Sequence, residues 1–148
     1  MNNKIKFDIY ENNKKAFEEC KEFIKKMQKV MKIQDWDILL NFMTFDQITG
    51  FMQKNADFIA CCKKDWHLKV ARIGINIEHP CINENLEKNI LHELIHIVTG
   101  EYERQVSMLC DLANNEYAKA TLDLLLEQMV EQIATSIYNS LNEEVINE

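Results

Sequence analysis

The chain has 148 residues, 47% of them hydrophobic, with three glycines and one proline, which suits one domain with a real core and leaves no linker or low-complexity tract. No apolar run reaches the roughly 18–20 residues that span a bilayer, and Met1–Phe7 lacks the apolar core of a signal peptide, so a cytoplasmic product with no membrane partner is expected. The net charge of −7 is uneven: residues 1–40 hold nine lysines against seven acids, and residues 101–148 hold two basic residues against ten acids, with no concentrated basic face of the kind that binds nucleic acid.

From about Asn13 to Ile33, Phe17, Cys20, Ile24, Met27 and Met31 recur at helical spacing with Lys and Glu between them. This predicts an amphipathic helix capped by Asn12 or Asn13. Trp36–Met43 is rich in large apolar residues and reads as a strand. Phe45–Met52 is ambiguous, with Gly50 marking a turn. Asp57–Cys62 reads as a second strand, Lys63–Trp66 as a hairpin connection, and His67–Ile77 as a third strand with a bulge at Ala71-Arg72.

Next comes a helix over 84–99, with Asn83 as its cap, Glu84 and Glu87 in its first turn, and Gly100 as a left-handed stop. Beyond it, Val106, Met108, Leu109 and Leu112 suggest a short helix that Asn114-Asn115 interrupts. Glu116 to about Leu141 is a long helix, expected to bury Leu122, Leu125, Leu126, Met129, Ile133, Ile137 and Leu141. The fold class is therefore α+β: an N-terminal helix, a small three-stranded sheet, a central helix and a long C-terminal helix.

The helix over 84–99 carries the chemistry. It contains His92-Glu93-Leu94-Ile95-His96, and on a helix residues four apart stand on one face. His92 and His96 can thus aim two imidazoles at one Zn²⁺, which takes neutral nitrogen ligands at about 2.0–2.1 Å. Glu93 lies roughly 100° round the helix from His92, poorly placed as a ligand but able to reach a water beside the metal as general base. Asn89 and Thr99 share the histidines' face, while Leu86, Ile90, Leu94, Ile97 and Val98 gather opposite. Two unpaired histidines one turn apart would gain little structurally, whereas a metal satisfies both.

A catalytic zinc commonly has three protein ligands and one open position. His67 and His79 are the other histidines, and neither sits on an element that obviously faces the site. The C-terminal helix offers Glu127 and Glu131, four apart and flanked by apolar residues, where a carboxylate needs a cation or donor to offset burial. One can bind the metal while the other accepts a hydrogen bond from a ligand imidazole. Tyr138, eleven residues after Glu127 and about 20° round the helix, is a candidate to present its phenol to a substrate oxyanion. The five cysteines form an odd set without Cys-x-x-Cys spacing, which speaks against a disulfide framework; Cys81 alone stands near enough to the motif to be weighed as a further ligand.

The chain here resembles the zincin metallopeptidases, and among them the compact zincin-like proteins carried by phages and prophages. The resemblance rests on His92-Glu93-Leu94-Ile95-His96, on Trp36-Asp37-Ile38 opening the first strand, on the β-pair before the motif helix, and on Glu127–Ile133 after it. It covers about residues 13–141. In gluzincins the downstream glutamate is the third ligand and an acidic residue four later supports a motif histidine, which implies Glu127 as ligand and Glu131 as support. The Asn and Ser that usually surround that glutamate are absent, so Glu131 competes for the ligand role.

The leading expectation is a zinc-dependent peptidase in which His92, His96 and Glu127 hold Zn²⁺ and Glu93 is the base, acting on a peptide laid along a strand near His67–Ile77. The alternatives are a zinc-stabilised binding or regulatory module that cleaves nothing, and a metal-free protein whose acidic C-terminal half meets a basic partner.

Overall fold

The structure is a computed structural model that describes residues 13–53 and 58–146. The N-terminal leader reading, the cap at Asn12 and the strand start at Asp57 lie outside the described residues. Within them the chain folds as α+β, in the order α1 (Lys14–Met31), β1 (Asp37–Met43), α2 (Phe45–Met52), β2 (Ala60–Asp65), β3 (Val70–Asn76), α3 (Ile82–Leu112) and α4 (Glu116–Ile146).

Helix α1 buries Ala16, Cys20, Ile24 and Met27, a spacing of four, four and three that draws one face against the core. It stops at Lys32, whose left-handed backbone returns its N–H to the carbonyls of Gln28 and Lys29. The Gln28 amide then donates to the carbonyls of Ile33 and Trp36, holding the entry to β1. The stretch after β1 is helical rather than a turn at Gly50. Thr44 and Gln47 form a capping box, in which the Thr44 hydroxyl accepts the Gln47 N–H and the Gln47 side chain accepts the Thr44 N–H.

The sheet has the order β1-β3-β2, with β1 parallel and β2 antiparallel to β3. β3 is thus the central strand, and both of its backbone edges are paired. Its register runs unbroken from Val70 to Asn76, so the expected bulge at Ala71-Arg72 is absent; the alternation fails because Ala71, Ile73, Gly74, Ile75 and Asn76 are all buried. The hairpin connection falls at Trp66–Lys69 rather than Lys63–Trp66. There the Asp65 carboxylate accepts the N–H groups of His67 and Leu68, and Lys69 is left-handed.

The motif helix does not end at Gly100. Helix α3 starts at Ile82, with Cys81 rather than Asn83 in the cap position, and runs 31 residues to Leu112 through a glycine that has no left-handed φ. The apolar patch at Val106–Leu112 is the continuation of α3. The chain then reverses at Ala113–Asn115, where Asn114 is left-handed and Asn115 accepts the N–H of Ala118. Among the described residues no helix is long and apolar enough to cross a membrane.

One cluster joins α1, the sheet, the first half of α3 and two residues of α4, Val130 and Ala134. In α3, Leu86, Ile90, Leu94 and Ile97 are buried as expected, together with Leu91 and Ile95, whereas Val98 is half-exposed. In α4 the predicted stripe is turned: Leu125, Met129 and Ile133 are exposed, and the inward row runs through Val130, Ala134, Ile137, Tyr138 and Leu141. Following that row one step toward the N-terminus reaches Glu127, so the rotation that exposes the leucines aims this carboxylate at α3.

This packing is tested by a pair of truncations. Leu94→Ala, at a fully buried site, should destabilise the protein by about 2–5 kcal/mol in urea unfolding. Val98→Ala should change stability by about 0.5 kcal/mol or less, and equal losses would contradict the assigned face.

Candidate metal centre

The two histidines stand on one face of α3 at a helical separation of four, and α4 brings Glu127 across to them. The Nε2 atoms of His92 and His96 are 3.1 Å apart. One Glu127 oxygen lies 3.4 Å from Nε2 of His92 and the other 3.3 Å from Nε2 of His96. A tetrahedral ion with bonds of about 2.0–2.1 Å separates neighbouring donor atoms by roughly 3.3–3.4 Å. The two histidines stand near that spacing and each faces a different Glu127 oxygen, and the three residues form the group among the described residues that offers one donor atom each, all within 4.8 Å of one another.

What lies behind the imidazoles fixes their protons. Nδ1 of His92 is 3.2 Å from a Glu131 oxygen, and Nδ1 of His96 is 3.0 Å from a Glu103 oxygen. An ionised carboxylate only accepts, so each Nδ1 carries a proton and donates away from the cluster, and each Nε2 is left facing Glu127. Glu131 stands behind His92 and is not among the converging donor atoms; the Lys88 ammonium and the Thr135 hydroxyl hold it from its other side.

Glu103 was missing from the sequence reading. It lies seven residues after His96, two turns along the same face, but the stop assigned to Gly100 hid that continuity. Its carboxylate also accepts from the Thr99 hydroxyl at 2.5 Å and from the Lys64 ammonium at 2.8 Å. Burial disfavours its charge, yet the bonds from His96, Lys64 and Thr99 outweigh that cost and hold it down to about 2.

The cluster attracts positive charge. Burial works against a charged His96, but hydrogen bonds to Glu103 and Glu127 prevail and raise it to about 9. His92 moves upward for the same reasons, with Glu127 as its hydrogen-bond partner. Glu127 is pulled well below the usual carboxylate range by the two histidines.

Glu93 differs from the other carboxylates. It is only 9% exposed, and burial raises its pKa against the pull of His96 and His92. It faces a cavity of about 950 Å³ bounded by α3, α4, β2 and the segment before α3. Glu127, Glu131, Asn89 and Cys81 line the same space, although Cys81 is not part of the converging donor group. His79 also lines it, with Nδ1 accepting the Cys81 N–H at 3.1 Å. His67 sits instead in the β2–β3 turn.

Two expectations are corrected. Tyr138 packs against the apolar core and does not line the cavity, because it falls on the inward row of α4 about three turns beyond Glu127. The strand facing the cavity is β2, through Ala60, Cys61, Cys62 and Lys64, and not the doubly paired β3.

No family model, curated protein or solved structure matches the chain.

Burial pushes the Cys20 and Cys62 thiols up to about 12 and Cys61 to about 11, with Glu93 adding to the last two. At pH 8 iodoacetamide should therefore label these three only after denaturation, as read by mass spectrometry. Rapid labelling of Cys61 in the folded protein would contradict the burial assigned to it.

Proposed function

We propose that the protein is a zinc-dependent peptidase with a compact zincin-like arrangement, its ion held by His92, His96 and Glu127. The observation that carries the reading is the convergence of two imidazole Nε2 atoms and the Glu127 carboxylate at 3.1–3.4 Å, while each Nδ1 is engaged by a different carboxylate behind its ring. Acceptors so close repel one another unless a cation or a shared proton lies between them.

Zinc bound there would polarise a carbonyl and make a water molecule acidic near neutral pH. The rest of the chemistry belongs to the chain. Glu93, buried with its pKa raised, accepts the proton of the attacking water and returns it to the leaving amine. Glu131 and Glu103 keep the two rings oriented as the reaction proceeds. Among the described residues β2 lies at one end of the sheet, so its outer edge is where an extended peptide would join by strand addition beside the cavity.

Protein purified without chelator should contain one zinc per chain by elemental analysis, and His92→Ala and Glu127→Ala should each abolish tight retention. A metal-free wild type would contradict the assignment. Glu93→Gln should keep its zinc and lose hydrolysis of a peptide library by roughly 10²–10⁴-fold. Undiminished cleavage would remove Glu93 from its role, and a wild type that binds zinc but cleaves nothing would favour the non-catalytic module.

A further inference from the structure

Gly100 lies inside α3, where glycine costs about 1 kcal/mol relative to alanine. A Cβ at this position would stand 2.6 Å from the Lys64 ammonium nitrogen and 2.6 Å from Cζ2 of Trp66. The missing side chain is the space through which Lys64, from β2, reaches the far side of the helix. Its ammonium there donates to the carbonyl of His96 at 2.6 Å and to Glu103 at 2.8 Å.

The first of these partners is the backbone of a candidate ligand, and the second is the carboxylate that holds the same ligand's ring. Lys64 therefore grips His96 at two points. Thr99, which donates to Glu103 and to the Ile95 carbonyl, fixes the carboxylate from within the helix. Lys64 is only about one-fifth exposed, as is Glu103, so the pair is shielded from the screening that makes surface ion pairs weak.

We propose that Lys64 is a positioning residue of the metal centre, acting through Glu103 on the His96 ring, and that Gly100 is glycine to admit it. The inference rests on the zinc reading above. It adds that the strand beside the cavity reaches the backbone and the ring partner of His96 through this ammonium. Loss of the ammonium leaves Glu103 with Thr99 and the His96 ring as its partners, so nothing from β2 any longer fixes the carboxylate that orients the ring.

The test is zinc affinity, measured by competition with a chromophoric chelator, together with the visible spectrum of the cobalt-substituted protein. Lys64→Met keeps the aliphatic stem and should weaken zinc by roughly 10–100-fold, the usual cost of removing a residue that orients a ligand. It should also alter the cobalt spectrum. Because Lys64 acts through Glu103, the double variant Lys64→Met/Glu103→Gln should bind no more weakly than Glu103→Gln alone. Gly100→Ala favours the helix and displaces the ammonium from the opposite side, so it should weaken zinc even if Lys64→Met does not fold.

Zinc affinity and cobalt spectrum unchanged in Lys64→Met and Gly100→Ala, with only thermal stability lowered, would show Lys64 to be structural and overturn the proposal. Losses that multiply in the double variant would overturn the route through Glu103. A wild type that binds no zinc would sink the functional reading itself, a result distinct from variants that bind as the wild type does.

Discussion

Two imidazole nitrogens and a carboxylate turned toward one point are the constraint on which the site depends. Each is held in that position by side chains behind it. Glu131 and Lys88 turn His92; Glu103, Thr99 and Lys64 turn His96; and the inward row of α4 delivers Glu127. Mutual repulsion at such distances is offset only by positive charge, which is why the two histidines hold protons so strongly and Glu127 surrenders one so readily.

The fold can be read as a scaffold for that convergence. The first half of α3 is anchored by Leu86, Ile90, Leu91, Leu94, Ile95 and Ile97, leaving His92 and His96 on the remaining face. α4 touches the core chiefly through Val130 and Ala134, and small or medium side chains there let it lie close to α3. Had the leucine-rich row been the buried one, Glu127 would point elsewhere. Exposure of Leu124, Leu125, Met129 and Ile133 is the consequence of that rotation.

Much of this was legible in the residues. The i, i+4 histidines, the α+β order of elements and the three strands follow from periodicity, and the chemistry of carboxylates near apolar faces drew Glu127 and Glu131 into the candidate site without deciding between them. Gly100 was misread because glycine after an apolar helix usually marks a stop; only the lysine and tryptophan arriving from β2 explain it within the helix. That misreading hid Glu103. Tyr138 was placed in the site on angular position alone, which ignores that a residue about three turns away is some 16 Å along the axis. The stripe of α4 misled for a related reason: hydrophobicity marks the faces a helix can bury, and tertiary packing selects among them.

X-ray absorption at the zinc edge tests the central claim most directly. With zinc added to the purified protein, a single site of nitrogen and oxygen donors at about 2.0–2.1 Å, two of them imidazoles and none sulfur, is the result this arrangement requires. A sulfur distance near 2.3 Å, or a shell of oxygens without imidazole, would place the ion elsewhere and contradict it.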